Sequence, residues 1–186
     1  GDEYLSSPID RRPKFHLYKP NIGVISGIAW DHINVFPTFE NYIDQFRIFK
    51  NLVSDCLIFC EEDSVLKKLM KEDTKCKTIS YNTPNHTIKN GTTYLENIPL
   101  KIFGKHNLQN LNAARLVCNE LGVSNSDLHC IHNPTSPISS NGISFSLDAF
   151  ISAAFILTDS LANPLLNRKW LSVFNLFLDS LVIIIK

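Results

Sequence analysis

The sequence predicts an α/β fold with a mostly parallel sheet, and three observations carry that prediction. A short apolar run rich in β-branched residues stands at 22–28 and a second apolar run at 55–60, with a third β-prone run at 77–81. Segments whose apolar residues repeat at 3,4 spacing lie between and after them. A further run leads into Gly104 and then into a helical pattern, which is a strand-to-helix turn. Near-continuous apolar runs suit strands buried on both faces, and their alternation with helices points to a layered domain.

Each element follows from local chemistry. Ile22 to Ile28 comes after the turn-forming Pro20-Asn21 and ends in Ala29-Trp30-Asp31-His32, polar groups just past a strand end. Pro37-Thr38 opens a helix in which Phe39, Tyr42, Ile43, Phe46, Phe49 and Val53 share one face, with Glu40, Asp44 and Lys50 off it. Residues 55–60 read as the second strand. Asp63 then caps a short helix that turns Val65, Leu66, Leu69 and Met70 inward. Lys77 to Tyr81 is the third strand. Asn90-Gly91 between two β-prone runs signals a hairpin. Pro99 to Phe103 is a strand leading to Gly104. A helix follows over about 107–121, striped by Leu108, Leu111, Ala114, Cys118 and Leu121 and ended by Gly122. No internal repeat is visible.

Composition narrows the function classes. The 186 residues carry 18 basic and 18 acidic side chains, and 44% are hydrophobic. Such a chain is not intrinsically disordered, and its neutral balance argues against a general nucleic-acid binder. Five irregularly spaced cysteines (Cys56, Cys60, Cys76, Cys118, Cys130) predict reduced thiols and a cytoplasmic protein. No signal peptide is visible, and the opening Gly1-Asp2-Glu3 looks like the inside of a domain. Charge density breaks near residue 127. Only Asp148, Asp159, Arg168, Lys169, Asp179 and Lys186 follow it, three of each sign, which leaves fifteen of each sign before it.

Several constellations offer chemistry. Asp31-His32 follows a strand, and ligands of open α/β sheets bind outside the carboxyl ends of strands. An imidazole there can ligate a metal with the carboxylate orienting it; the alternative is an Asp cap beside a surface His. Gly104-Lys-His-Asn-Leu-Gln-Asn110 combines a helix N-terminus with amides suited to an adenine edge; the alternative is N-capping by Asn107 with Asn110 exposed. Asp2, Glu3, Asp10, Arg11, Arg12 and Lys14 are either a cation- and phosphate-binding group or a solvated loop, and the loop is favoured. His129-Cys130-Ile131-His132 lacks the second ligand pair of a structural zinc site, so zinc is not expected. No P-loop is present, since Gly104-Lys105 is followed by His106 where Ser or Thr is required.

Taken together, Gly-Asp-Glu-Tyr-Leu (1–5), Asp10-Arg-Arg-Pro-Lys-Phe15, Trp30-Asp-His-Ile-Asn-Val-Phe36 and Gly104-Lys-His-Asn-Leu-Gln-Asn110 resemble the Mur ligase family. Within it they are most similar to the ligases acting on UDP-N-acetylmuramate, the L-alanine ligase and the murein tripeptide ligase. The first two thirds, residues 1–125, resemble the C-terminal half of the central ATP-binding domain, which places the family P-loop upstream of Gly1. The resemblance implies ATP and Mg²⁺ as cofactors. It makes His32 a Mg²⁺ ligand and Glu3 the retained second acid of the acidic metal motif, whose leading glutamate would stand just before Gly1. It places His106, Asn107 and Asn110 near the adenine of ATP. A lysine that is carbamylated in several members would fall near Arg47, and none stands there. The implied reaction joins the UDP-N-acetylmuramate carboxylate to L-alanine or a murein tripeptide through an acyl phosphate, in peptidoglycan synthesis or recycling. Without a P-loop, this chain alone is expected to be inactive.

The resemblance stops after Val123. Residues 126–186 form a divergent apolar tail, expected to be helical or poorly ordered, with helices predicted over 147–161 and 170–185. A shifted reading frame or a chimeric gene would account for the break. The second predicted helix is shorter than a membrane span needs, so membrane association is not expected. Two competing readings are a non-catalytic adenine-nucleotide-binding module and a membrane-associated protein using the tail.

Overall fold

The predicted apolar runs pair side by side as parallel strands. The computed structural model describes residues 5–30, 33–100, 104–122 and, for the backbone alone, 181–184. β1 (Ile22–Ile25) pairs with β2 (Cys56–Cys60), Ile22 opposite Cys56, and β2 pairs with β3 (Lys77–Tyr81), Cys60 opposite Tyr81. On the other side of β1 runs Leu181–Ile184, numbered β7 in chain order, with Leu181 opposite Ile22. The sheet order is β3-β2-β1-β7, all parallel. The helix predicted over 170–185 is therefore corrected at its end: 181–184 is strand. Val182, Ile183 and Ile184 are β-branched, and the β1 edge offers their backbone a ladder.

α1 (Phe39–Leu52) starts where Thr38 Oγ1 accepts the Asn41 N–H at 3.2 Å. Its predicted face is buried: Tyr42, Phe46 and Phe49, followed by Val53, pack with Phe15, Ile25, Phe36 and Leu57. Phe15, from a 3-10 turn over Lys14–Leu17, stacks edge-on against Phe49 at 5.5 Å and lies 5.6 Å from Phe46. Each such side chain stabilises the fold by about 1.5–3 kcal/mol through area removed from water. Gly23 lets β1 approach α1. A Cβ there would lie 2.8 Å from Val53 Cγ2, 3.1 Å from Leu57 Cδ1 and 3.3 Å from Phe49 Cε1.

Lys50 departs from expectation. Placed off the apolar face by its charge, it is 1% exposed. Its Nζ donates to the carbonyls of Leu69 (3.2 Å) and Glu72 (3.4 Å), at and just beyond the end of α2 (Ser64–Leu69). The aliphatic stem is buried while the ammonium finds carbonyls that a helix end leaves available.

The described residues fall into two compact units. The first runs through Tyr81 and includes β7; the second begins at Asn82. The boundary expected near residue 125 lies outside the described residues. In the second unit, β4 (Thr87–Lys89) and β5 (Thr92–Leu95) form the predicted hairpin, with Asn90 and Gly91 both at positive φ (49° and 77°) as a two-residue turn demands. β6 (Ile98–Leu100) pairs antiparallel with β5. α3 (Lys105–Glu120) packs Leu108 and Leu111 on Leu100 and Leu95. Gly122 at φ 80° ends it as predicted, but Val117 is fully buried and Leu121 is 39% exposed, so the inward stripe ends one turn before Leu121.

Candidate functional site

The strand-to-helix turn ends at Gly104, whose φ of 87° is a conformation that only glycine adopts without strain. Gly104 is also the N-cap of α3, with no side-chain cap bond. The helix therefore starts two residues before the predicted 107. Asn107 is its third residue and not its cap, which corrects the capping alternative. His106 and Asn107 are exposed on the first turn and Asn110 is half-buried on the next. The three candidate adenine residues thus sit within six residues of a helix N-terminus, with amides able to donate and accept. Gln109, between them, is buried at 8% exposure.

The other end of this unit's helix face is tied down. Asn112 Nδ2 donates to the Asn82 carbonyl at 2.9 Å, and Arg115 pairs with Glu96 at 2.9 Å. Neither residue belonged to any predicted constellation, because both contacts join segments far apart in sequence.

Asp31, His32 and Glu3, the candidate metal residues, lie outside the described residues. The loop that carries Asp31-His32 is held on both flanks. Before it, the Ile28 N–H donates to Asp63 Oδ2 at 2.9 Å. Across it, Trp30 Nε1–H donates to the Phe36 carbonyl at 3.0 Å, and Phe36 packs on Tyr42. Asp63 keeps its predicted cap as well, with Oδ1 accepting from Val65 and Leu66 at 2.9 Å. One carboxylate therefore ties the chain just past β1 to the start of α2, and only the cap was legible beforehand.

The charged loop before α1 is closed on itself. Arg12 pairs with Asp10 (2.7 Å), and its hydrogen bonds hold the Asp10 carboxyl down at about 2. The Ser6 N–H donates to the Arg12 carbonyl at 2.9 Å. Asp10 and Arg12 thus neutralise each other, and Asp2 and Glu3 of the same group lie outside the described residues.

Arg47, where the resemblance would place a lysine, is the hub of a network. It pairs with Glu72 (2.9 Å) and Asp44, with Glu40 at 3.6 Å, and these carboxylates keep its guanidinium firmly charged. Glu72, held by Arg47, has its carboxyl pulled below the ordinary range.

Among the described residues, Cys56, Cys60, Cys76 and Cys118 are free thiols. Burial pushes Cys118 up to about 11 and raises Cys60 and Cys76, so they stay protonated and are poor nucleophiles or ligands. No cluster of three or more metal-ligating side chains occurs among the described residues. His129, Cys130 and His132 lie outside them. No helix among the described residues is long and apolar enough to cross a membrane.

Residues 5–118 match the family model described as the Mur ligase middle domain. The chain is also similar to the UDP-N-acetylmuramate–L-alanine ligase of Clostridium beijerinckii, 26% identical over 63% of this chain and 29% of that protein. It is similar to the UDP-N-acetylmuramoylalanine–D-glutamate ligases of Staphylococcus aureus, for example 28% identical in strain MSSA476 over 57% of this chain and 26% of that protein. The chain therefore spans less than a third of the length of these curated relatives.

Proposed function

The chain belongs to the Mur ligase family, and on that premise we propose that residues 1–125 are the C-terminal half of a central ATP-binding domain. The whole enzyme would be a cytoplasmic ATP-dependent ligase of peptidoglycan synthesis or recycling. It would join the UDP-N-acetylmuramate carboxylate to L-alanine or a murein tripeptide through an acyl phosphate. The observation that carries this reading is the coincidence of two things: a middle-domain match over 5–118, and a Gly104 turn that sets His106, Asn107 and Asn110 on the first turns of α3.

The residues present fit an adenine, because exposed His106 and Asn107 and half-buried Asn110 can supply donors and acceptors to its edge. In this reading α3 binds and orients the base. ATP supplies the phosphoryl group that activates the carboxylate. His32 would hold Mg²⁺, with Glu3 as the second acid of that motif. Residues 126–186 are read as a divergent tail, from a frameshift or a chimeric gene. The non-catalytic module gains nothing from the relatives, both of which are ligases by name.

The sequence contains no P-loop, and positioning of the phosphates is the larger part of such catalysis. The 186-residue chain is therefore expected to release no phosphate from ATP with UDP-N-acetylmuramate and L-alanine or murein tripeptide. A continuous phosphate assay tests this, and multiple turnovers would refute it. Asn110→Ala tests the site: it should abolish any preference of the chain for ADP over IDP.

A further inference from the structure

α3 carries no side-chain cap at Gly104 and no acidic residue in its first turn, so its N-terminal half takes its orientation from contacts along its length. Leu108 and Leu111 pack on Leu95 and Leu100, but apolar contacts leave a helix some freedom to roll. Polar contacts restrict that roll, among them two on its later turns. Asn112 Nδ2 donates to the Asn82 carbonyl, and Arg115 Nη1 pairs with Glu96 Oε1, each at 2.9 Å. At 3.6 residues per turn, Asn112 and Arg115 project about 140–200° around the helix from Asn110. Asn112 thus braces the helix behind the amides of 107 and 110, and Arg115, about 80° from Asn107, braces its flank.

The turn that Arg115 grips is itself unusual. Glu96 and Asn97, the two residues between β5 and β6, both stand in the left-handed region, at φ 50° and 67°. Asn tolerates that region, but Glu pays a steric cost there, and such a conformation persists only where its surroundings hold it. The ion pair between that residue and α3 couples the turn to the helix.

We propose that Arg115 is a positioning residue for base recognition, its ion pair with Glu96 fixing the roll of α3 so that Asn107 and Asn110 meet the adenine edge. This rests on the reading of His106, Asn107 and Asn110 as the adenine region.

The test is calorimetric binding of ADP and IDP to the 186-residue chain, since IDP replaces the adenine amino group by a carbonyl. Wild type should prefer ADP by about tenfold, the scale of an amide pair reading an adenine edge. Asn110→Ala should bring that ratio to about one. Arg115→Met should lower the ratio about threefold to fivefold, the range that an exposed ion pair can transmit. Glu96→Gln removes the same pair from the other side and should act alike, and Arg115→Lys should restore part of the preference. If wild type shows no preference for ADP, or Asn110→Ala leaves it intact, the adenine reading fails and the proposal with it. If Asn110→Ala collapses the ratio while Arg115→Met and Glu96→Gln leave it unchanged, or weaken ADP and IDP equally, the adenine reading stands and the positioning role is overturned.

Discussion

Replacing Gly23 by alanine puts one methyl group into the seam between β1 and α1. The new Cβ would sit 2.8 Å from Val53 Cγ2, 3.1 Å from Leu57 Cδ1 and 3.3 Å from Phe49 Cε1. All three neighbours are at most 2% exposed, so none can swing into solvent. Overpacking of this kind costs about 1–3 kcal/mol. Restricting the unfolded chain returns about 0.4–1 kcal/mol. The net expectation is a loss of about 1–2 kcal/mol, read as a lower urea midpoint by circular dichroism. The contact responsible can be isolated, because Val53→Ala removes the atom that the Cβ meets first. In that background Gly23→Ala should cost about 1 kcal/mol less than in wild type, a coupling typical of touching residues. Additivity within about 0.5 kcal/mol, or a more stable Gly23→Ala, would refute the packing argument.

Two further outcomes follow from hydrogen bonds. Asp63→Ala removes the α2 cap and strands the buried Ile28 N–H, a loss of about 2–4 kcal/mol in urea unfolding. Asp63→Asn keeps a capping oxygen but turns an amide N–H₂ toward Ile28, so it should fall between wild type and alanine. His16 gives a pH dependence. Burial, helped by the charge of Arg12 and opposed by the hydrogen bond to the Gln45 carbonyl, depresses it below the ordinary 6.5. The unfolded chain then binds the extra proton first. The contribution of His16 is complete above about 6.5 and declines as pH falls toward the folded value. Urea midpoints between pH 7.5 and 5 should fall less steeply for His16→Gln than for wild type; equal slopes would count against this.

Periodicity made most of the fold legible. Phe46 and Phe49 are buried because a 3,4 apolar face has one place to go, and Asn90-Gly91 turns the chain because both residues accept positive φ. What escaped were contacts between segments distant in sequence. The charge of Lys50 argued for solvent, yet the carbonyls of Leu69 and Glu72 lie within reach of its ammonium only once α1 and α2 have packed. The bond from Ile28 to Asp63 spans 35 residues, so local reading found the cap and missed the tie. At the candidate site the glycine turn and its amides were visible as a motif. Arg115 was not, since its partner Glu96 belongs to a turn with no expected signature. The sequence of 181–184, three of its four residues β-branched, fits either period because apolar runs of that length do, and only the β1 edge decides for strand.

That last pairing has a kinetic side. Ile22 lies opposite Cys56, 34 residues away, but also opposite Leu181, 159 residues away. Loop closure grows as the logarithm of length, so the longer closure costs about 1.4 kcal/mol more. During synthesis, β1, β2 and β3 emerge and can pair long before residue 181 is made. Among the described strands, the β7 side of β1 then waits, its backbone groups open to any passing strand, until residues 181–184 have left the ribosome. Of the four described strands of this sheet, β1 is thus the first to be made and the last to be flanked on both edges.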